Sequence, residues 1–301
     1  MATRPEVAAG VADVDLSGRT AFVTGATSGI GRETALALGR LGARVLVHGR
    51  DRARGTSVVD QLHRMGARPV FLRADFADQA AVRGLAEAVA ERTDRLDVLV
   101  NNAGAHFQDG RLTDAGVERT FAVNHLAPFL LTNWLRPTLS DGGRVVTVSS
   151  GVHSRAGPDD LTRAAVTGVD GYDGLDAYAR SKLANVLFTA ELARRADRLA
   201  ANCCHPGFVP GSGIWRDASL PVSAVVGLLA RLPQALVGRT VDSAVQGAAT
   251  PVFLAASPRV ADVSGAYFED CTVAEPSAAA RDADLARRLW TLSAELTGVG
   301  A

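Results

Sequence analysis

Residues 19–31 read Arg19-Thr20-Ala21-Phe22-Val23-Thr24-Gly25-Ala26-Thr27-Ser28-Gly29-Ile30-Gly31, and a helical pattern runs on from Gly29 to Leu41. The order of chemistry in this stretch decides the fold. A short apolar strand feeds a glycine loop, and the loop opens a helix. Gly25 permits the sharp turn, Gly29 lets backbone approach a pyrophosphate, and Gly31 lets the helix lie close to the sheet. The unpaired amides at the helix start, with its dipole, hold anionic phosphates. Thr27, Ser28 and Ile30 belong to the same cradle. A glycine cluster alone would read equally well as a tight turn. Here it sits in the chain's first strand-to-helix crossover, where a dinucleotide site belongs.

Outward from this loop the alternation repeats. Arg44-Val45-Leu46-Val47 is a second strand, followed by a charged helical stretch, and Pro69-Val70-Phe71-Leu72 is a third. A helix over Gln79–Arg92 precedes a fourth strand, Leu96–Val100. A helix over Val123–Leu139 precedes a fifth, Arg144–Val148, and a long helix over Tyr178–Arg195 precedes a sixth, Ala200–Cys204. Continuous apolar strands alternating with helices signal a parallel sheet buried on both faces. The expected fold is therefore a single-domain α/β structure spanning residues 18–301, a doubly wound parallel sheet (Rossmann fold) with helices on both faces. Residues 1–17 read as a flexible leader. The looser stretches Gly151–Leu175 and Pro206–Pro233 both follow strand C-termini, where such sheets bind ligands. The segment 207–233 reads as a substrate lid, with Phe208, Ile214, Trp215 and Leu220 available to cover an apolar ligand. The 152–175 insert is expected to form the opposite wall and to bring His153 and Arg155 near the pocket mouth.

Composition narrows the class. The 301 residues carry 32 basic and 32 acidic side chains, with no electrostatic footprint for nucleic acid. Cys203, Cys204 and Cys271 match neither a metal spacing nor a disulfide framework, so no metal and a reducing, cytoplasmic setting are expected. The adjacent Cys203 and Cys204 read as core residues of a strand. No apolar stretch reaches the roughly eighteen residues of a membrane span. The expected partner is a small molecule, and the chain could be a monomer or a homodimer.

The end of the second strand bears on the cofactor. It runs Val47-His48-Gly49-Arg50-Asp51. An acidic residue here would bind the free 2′-hydroxyl of NAD, whereas arginine favours the 2′-phosphate of NADP. Arg50 can fork onto that phosphate, with Arg52 or Arg54 as helpers, which favours NADP(H). A one-residue shift would instead place Asp51 at the ribose.

Of the 32 basic side chains, 31 are arginine, and the lone lysine, Lys182, stands four residues after Tyr178. Where arginine serves every other position, a retained lysine points to a compact, tunable ammonium. Tyrosine titrates near pH 10, and a lysine one turn away favours phenolate, typically by roughly 1–3 pH units. Neither of the other two tyrosines, Tyr172 and Tyr267, has a lysine so placed. Tyr178 is the expected acid-base group. Ser150, at the end of the fifth strand, is placed to stabilise charge on a substrate oxygen, with Ser149 as its rival.

With these residues assembled, the sequence resembles the short-chain dehydrogenase/reductase family over nearly its whole length. The carriers are Gly25, Gly29 and Gly31, the run Asn101-Asn102-Ala103-Gly104, Asn124, Ser150, the Tyr178/Lys182 pair, and Pro206-Gly207. Asn124-His125-Leu126, Ser181-Lys182-Leu183-Ala184-Asn185, Gly265-Ala266-Tyr267-Phe268 and Arg288-Leu289-Trp290 resemble its retinol-dehydrogenase-like branch. The resemblance implies catalysis by Ser150, Tyr178 and Lys182, with Asn124 holding water in a proton relay or, alternatively, bonding helix backbone. It implies cofactor contacts at Asp75, Phe76, Asn102, Ala103, Gly104, Tyr178, Lys182, Pro206, Gly207 and Val209. The run Phe208-Val209-Pro210-Gly211-Ser212 departs from the family by placing glycine where a hydroxyl usually meets the nicotinamide. The expected function is NADP(H)-dependent hydride transfer on a bulky, largely apolar carbonyl/alcohol pair. A non-redox transformation and a dinucleotide-sensing role are the alternatives.

Overall fold

The computed structural model describes residues 4–209 and 243–299. Its centre is one eight-stranded sheet: β1 (Thr20–Val23), β2 (Arg44–Gly49), β3 (Val70–Arg73), β4 (Leu96–Asn101), β5 (Leu139–Val148), β6 (Leu199–His205), β7 (Tyr267–Glu269) and β8 (Thr272–Ala274). Its order is β3-β2-β1-β4-β5-β6-β7-β8. All pairings are parallel except β7 with β8, which is antiparallel. The order reverses between β1 and β4, so the crevice beyond their C-termini is the ligand position of a doubly wound sheet.

Successive strand residues face opposite layers, and the two layers differ in composition. On one face Ala21, Val23, Val45 and Val47 pack against helices α2 (Gly29–Arg40) and α3 (Arg52–Arg64). On the other face Phe22, Leu46, Leu99 and Val145 meet α4 (Gln79–Ala90), α6 (Ala127–Leu135) and α8 (Gly174–Arg195). The apolar strand runs follow from this burial on both sides. The single doubly wound sheet, with helices on both faces, is the fold read from the sequence.

Several details differ from expectation. Of the expected leader, the described residues 4–17 are not loose: α1 (Pro5–Ala8) packs on the domain, with Ala9 and Val11 each 2% exposed. Buried Glu6 accepts from Arg40 Nε at 2.6 Å and Nη2 at 2.8 Å, a long-range ion pair that local pattern does not announce. The helix expected over Val123–Leu139 starts earlier, at α5 (Arg119–Phe121), passes through a π-helical turn at Ala122–Leu126, and ends at Leu135. Pro137, which lacks an N–H, cannot extend it. The 152–175 insert folds into short 3₁₀ turns and α7 (Arg163–Thr167), whose Val166 joins Leu161 in the core beside Val117 and Phe121. The C-terminal part adds α9 (Ala244–Gly247), α10 (Ala249–Ala256) and α11 (Ala283–Thr297). Most of the lid segment, including Ile214, Trp215 and Leu220, and the Pro210-Gly211-Ser212 departure lie outside the described residues.

Candidate active site

The C-terminal ends of β1, β4, β5 and β6 open into one cavity of about 850 Å³. Thr24 ties the first two ends together: its hydroxyl donates to Val100 O at 3.2 Å and accepts from Asn102 N and Ala103 N, each at 3.0 Å. Asn102 Nδ2 donates to Thr24 O at 2.8 Å. This cross-stitch sets the glycine loop. Gly25 and Gly29 have φ of 64° and 55°, the left-handed region that disfavours a side chain. A Cβ on Gly31 would overlap Asn102 and lie 2.5 Å from Gly25 O, so the close approach of α2 to the sheet requires glycine there. Ser28, the N-cap of α2, makes no side-chain cap, which leaves the first-turn amides available to an anion. These features fit a dinucleotide pyrophosphate.

At the cavity's other cofactor-side wall, the chain turns through Arg50 and Asp51. Asp51 Oδ1 accepts from Arg54 N at 3.0 Å to cap α3, and its other oxygen lies 3.3 Å from Arg54 Nε. That carboxylate is engaged locally. Arg50 is largely exposed, with Nη1 3.9 Å from Asp75 Oδ2. Arg54 also lines the cavity and Arg52 does not. Sequence reading missed His48. This buried imidazole accepts from Gly25 N at Nδ1 (3.3 Å), meets Ala74 O at Nε2 (3.2 Å), and stacks on Phe76 at 4.4 Å. Burial lowers its pKa to about 4, so it stays neutral while bracing the glycine loop. Only its position in the second strand, two residues before Arg50, could have drawn notice.

At the reactive end, the helix α8 presents Tyr178 and, one turn later, Lys182, which are 5% and 2% exposed. Lys182 Nζ lies 5.4 Å from the Tyr178 ring centroid and donates to Val148 O at 3.0 Å. Ser149 Oγ donates to Lys182 O at 2.8 Å and so serves the backbone, whereas the Ser150 hydroxyl, which accepts from Val152 N at 3.5 Å, lies beside Tyr178 and favours its phenolate. The other tyrosines are occupied: Tyr172 by Thr120 and Phe107 O, Tyr267 by Glu269. The expected lowering of the tyrosine pKa is absent in the chain itself. Burial raises the Tyr178 phenol, with Ser150 pulling it partly back, and burial lowers Lys182 to about 8. At neutral pH the pair is a neutral phenol beside an ammonium.

Of the residues singled out by sequence, Thr27, Ser28, Ile30, Asp75, Phe76, Ala103, Gly104, Pro206, Gly207 and Val209 also line the cavity. Gly29 and Asn124 do not. Asn124 sits in the π-turn and grips the loop after β4, accepting from Ala105 N at 2.8 Å and donating to Ala105 O at 2.9 Å and Ser181 Oγ at 3.0 Å. It therefore bonds loop backbone rather than helix backbone. A Cβ on Gly104 would lie 3.4 Å from both Asn124 Oδ1 and Lys182 Nζ, so the two polar groups flank this glycine. His153 and Arg155 are not at the pocket mouth. His153 is buried and hydrogen-bonded, and Arg155 reaches Asp176 at 3.3 Å; of the insert only Val152 reaches the cavity. Cys203 and Cys204 are buried strand residues whose thiol pKa values burial raises. Among the described residues no cluster of His, Cys, Asp or Glu is placed to hold a metal, and no helix is long and apolar enough to cross a membrane.

Comparison with known proteins agrees with this geometry. The family model described as short chain dehydrogenase matches residues 19–160. Mouse retinol dehydrogenase 14 is 38% identical over 301 aligned residues, covering 94% of this chain and 87% of that protein. Mouse polyprenol dehydrogenase is 41% identical, covering 94% and 85%. A structure described as a short chain dehydrogenase from Escherichia coli CFT073, solved with NADPH, superposes with a TM-score of 0.66 at 25% identity, over 86% of this chain and 98% of that one. The glycine cradle, the Ser150–Tyr178–Lys182 cluster and these relatives converge, and the chain belongs to the short-chain dehydrogenase/reductase family, in its retinol-dehydrogenase-like branch.

Proposed function

We propose that the chain is an NADP(H)-dependent oxidoreductase acting on a bulky, largely apolar carbonyl/alcohol pair. One observation carries this reading: a single cavity joins the uncapped first turn of α2 and the exposed Arg50 to the buried Tyr178–Lys182 pair and Ser150. The nicotinamide, when bound, supplies or accepts the hydride. Ser150 donates a hydrogen bond to the substrate oxygen and stabilises its developing negative charge. In reduction, Tyr178 passes its phenolic proton to that oxygen, and the Lys182 ammonium stabilises the phenolate left behind. In oxidation the same groups run in reverse. Asn124, locked on Ala105, holds the loop that carries Gly104 beside Lys182.

Val123, Val152 and Phe208 supply apolar cavity wall, which favours an apolar substrate. The named substrates of the two mammalian relatives, retinol and polyprenol, are of that kind. The test is loss of NADPH absorbance with a panel of bulky apolar ketones and aldehydes. Tyr178→Phe is expected to keep NADPH binding and lose most turnover, because only the transferable proton is removed. Near-wild-type turnover in that variant would remove the assignment.

A further inference from the structure

The peptide unit that follows the proposed substrate-binding serine is held from both sides by histidines, and neither belongs to the machinery described above. His153 Nδ1 meets Ser150 O at 2.8 Å. Across the same peptide plane, Gly151 N donates to His205 Nδ1 at 3.1 Å. His153 Nε2 in turn accepts from Ser277 N at 3.1 Å, on the segment that leads into α11. His153 is 4% exposed and its ring tilts against Tyr267 at 5.1 Å, while His205 lines the cavity.

The partners dictate where each imidazole keeps its proton. A backbone N–H can only donate and a carbonyl can only accept. Because Ser277 N–H points at His153 Nε2, that nitrogen must offer its lone pair, and the proton sits on Nδ1, facing Ser150 O. Because Gly151 N–H points at His205 Nδ1, the proton of His205 sits on Nε2. The two rings are therefore neutral and of opposite tautomer. An imidazolium at either place would set N–H against N–H. Burial, which lowers the His205 pKa, favours the neutral form there; Glu269 and Asp270 oppose this, and Lys182 reinforces it.

We propose that His153 and His205 are positioning residues that clamp the Ser150–Gly151 peptide and so aim the Ser150 hydroxyl at the substrate oxygen and Tyr178. The inference rests on the redox reading of the site. Ser150 stands at a strand end with φ of −162° and ψ of 153°, beyond the last ladder pairing of β5, so the sheet does not hold its far peptide. The clamp does. Through Ser277 it also ties the entrance of α11 to the reactive end of the cavity, a link across 124 residues.

Asparagine separates this role from mere packing. Its amide reaches about as far as Nδ1 of histidine and offers both a donor and an acceptor. His205→Asn is expected to retain most activity, whereas His205→Leu, similar in bulk and without an acceptor, is expected to lower kcat about ten- to a hundredfold, the scale of a misplaced catalytic group. KM and the NADPH dissociation constant should change little. At the other side, His153→Asn keeps the contact to Ser150 and should outperform His153→Gln, whose amide falls at the Nε2 level. Nitrogen-15 histidine labelling of the intact protein reads the geometry without turnover: His153 should appear with its proton on Nδ1 and His205 with its proton on Nε2. The reverse tautomers, or wild-type kcat in His205→Leu, would overturn the clamp. A loss of kcat in His205→Leu that His205→Asn fails to rescue would overturn it as well. A wild-type protein with these tautomers that turns over no carbonyl would overturn the redox reading instead.

Discussion

Replacing Arg50 with alanine should separate the two nicotinamide cofactors. The backbone at this turn is held independently of the side chain, because Arg73 Nε donates to Arg50 O at 3.0 Å. Truncation therefore removes a guanidinium without moving the strand end. Asp51 cannot readily take over as a ribose ligand, since its carboxylate caps α3 and pairs with Arg54. A charge-assisted hydrogen bond is worth about 1.5–3 kcal/mol. The Arg50 side chain is 60% exposed and already faces Asp75 at 3.9 Å, so screening and competition put its contribution at the low end. About 1.5 kcal/mol corresponds to roughly a tenfold rise in the NADPH dissociation constant. The NADH constant should not move, because that cofactor has no 2′-phosphate. Both constants are measured by nucleotide fluorescence titration on both proteins at one ionic strength. Equal losses for the two cofactors would make Arg50 structural, and an outright wild-type preference for NADH would refute the assignment of this turn to a phosphate.

Lys182→Arg should lose most turnover while retaining charge: the lysine is 2% exposed, with Nζ fixed on Val148 O at 3.0 Å, and a planar guanidinium does not fit that point contact; steady-state kinetics decides. Gly31→Ala should destabilise the fold by about 1–3 kcal/mol through overpacking and weaken NADPH, because its methyl would collide with Asn102 and Gly25 O. The control Gly84→Ala, in α4 with nothing within 4 Å, should instead raise the melting temperature, by about 0.5–1 kcal/mol of stability. Acidification should destabilise the protein through two buried neutral histidines, His48 and His125, whose pKa values burial lowers from 6.5 to about 4 and about 3. The unfolded chain takes up these protons first, so stability is full above pH 6.5 and falls as pH drops toward those values, by up to about 1.4 kcal/mol per pH unit for each histidine. Urea titrations at successive pH values should show a shallower loss for His125→Phe than for wild type.

The sequence by itself determined the sheet and the main chemistry of the cavity. Runs such as Val45-Leu46-Val47 and Leu96–Val100 have to be buried on both faces, and a helical spacing of four places Lys182 behind Tyr178 whatever the rest of the chain does. The glycine loop was equally legible, because positive φ and close approach select glycine locally. Tertiary structure decided the rest. It seated the N-terminal segment through Glu6 and Arg40, gave Asn124 the backbone of Ala105 to hold, and carried His153 and Arg155 away from the pocket mouth. It also made His48, His153 and His205 braces of the glycine loop and of the peptide after Ser150. A histidine's task depends on which donor or acceptor meets each ring nitrogen. Those partners, such as Ser277 for His153, arrive from distant parts of the chain, where no local pattern of hydrophobicity or spacing records them.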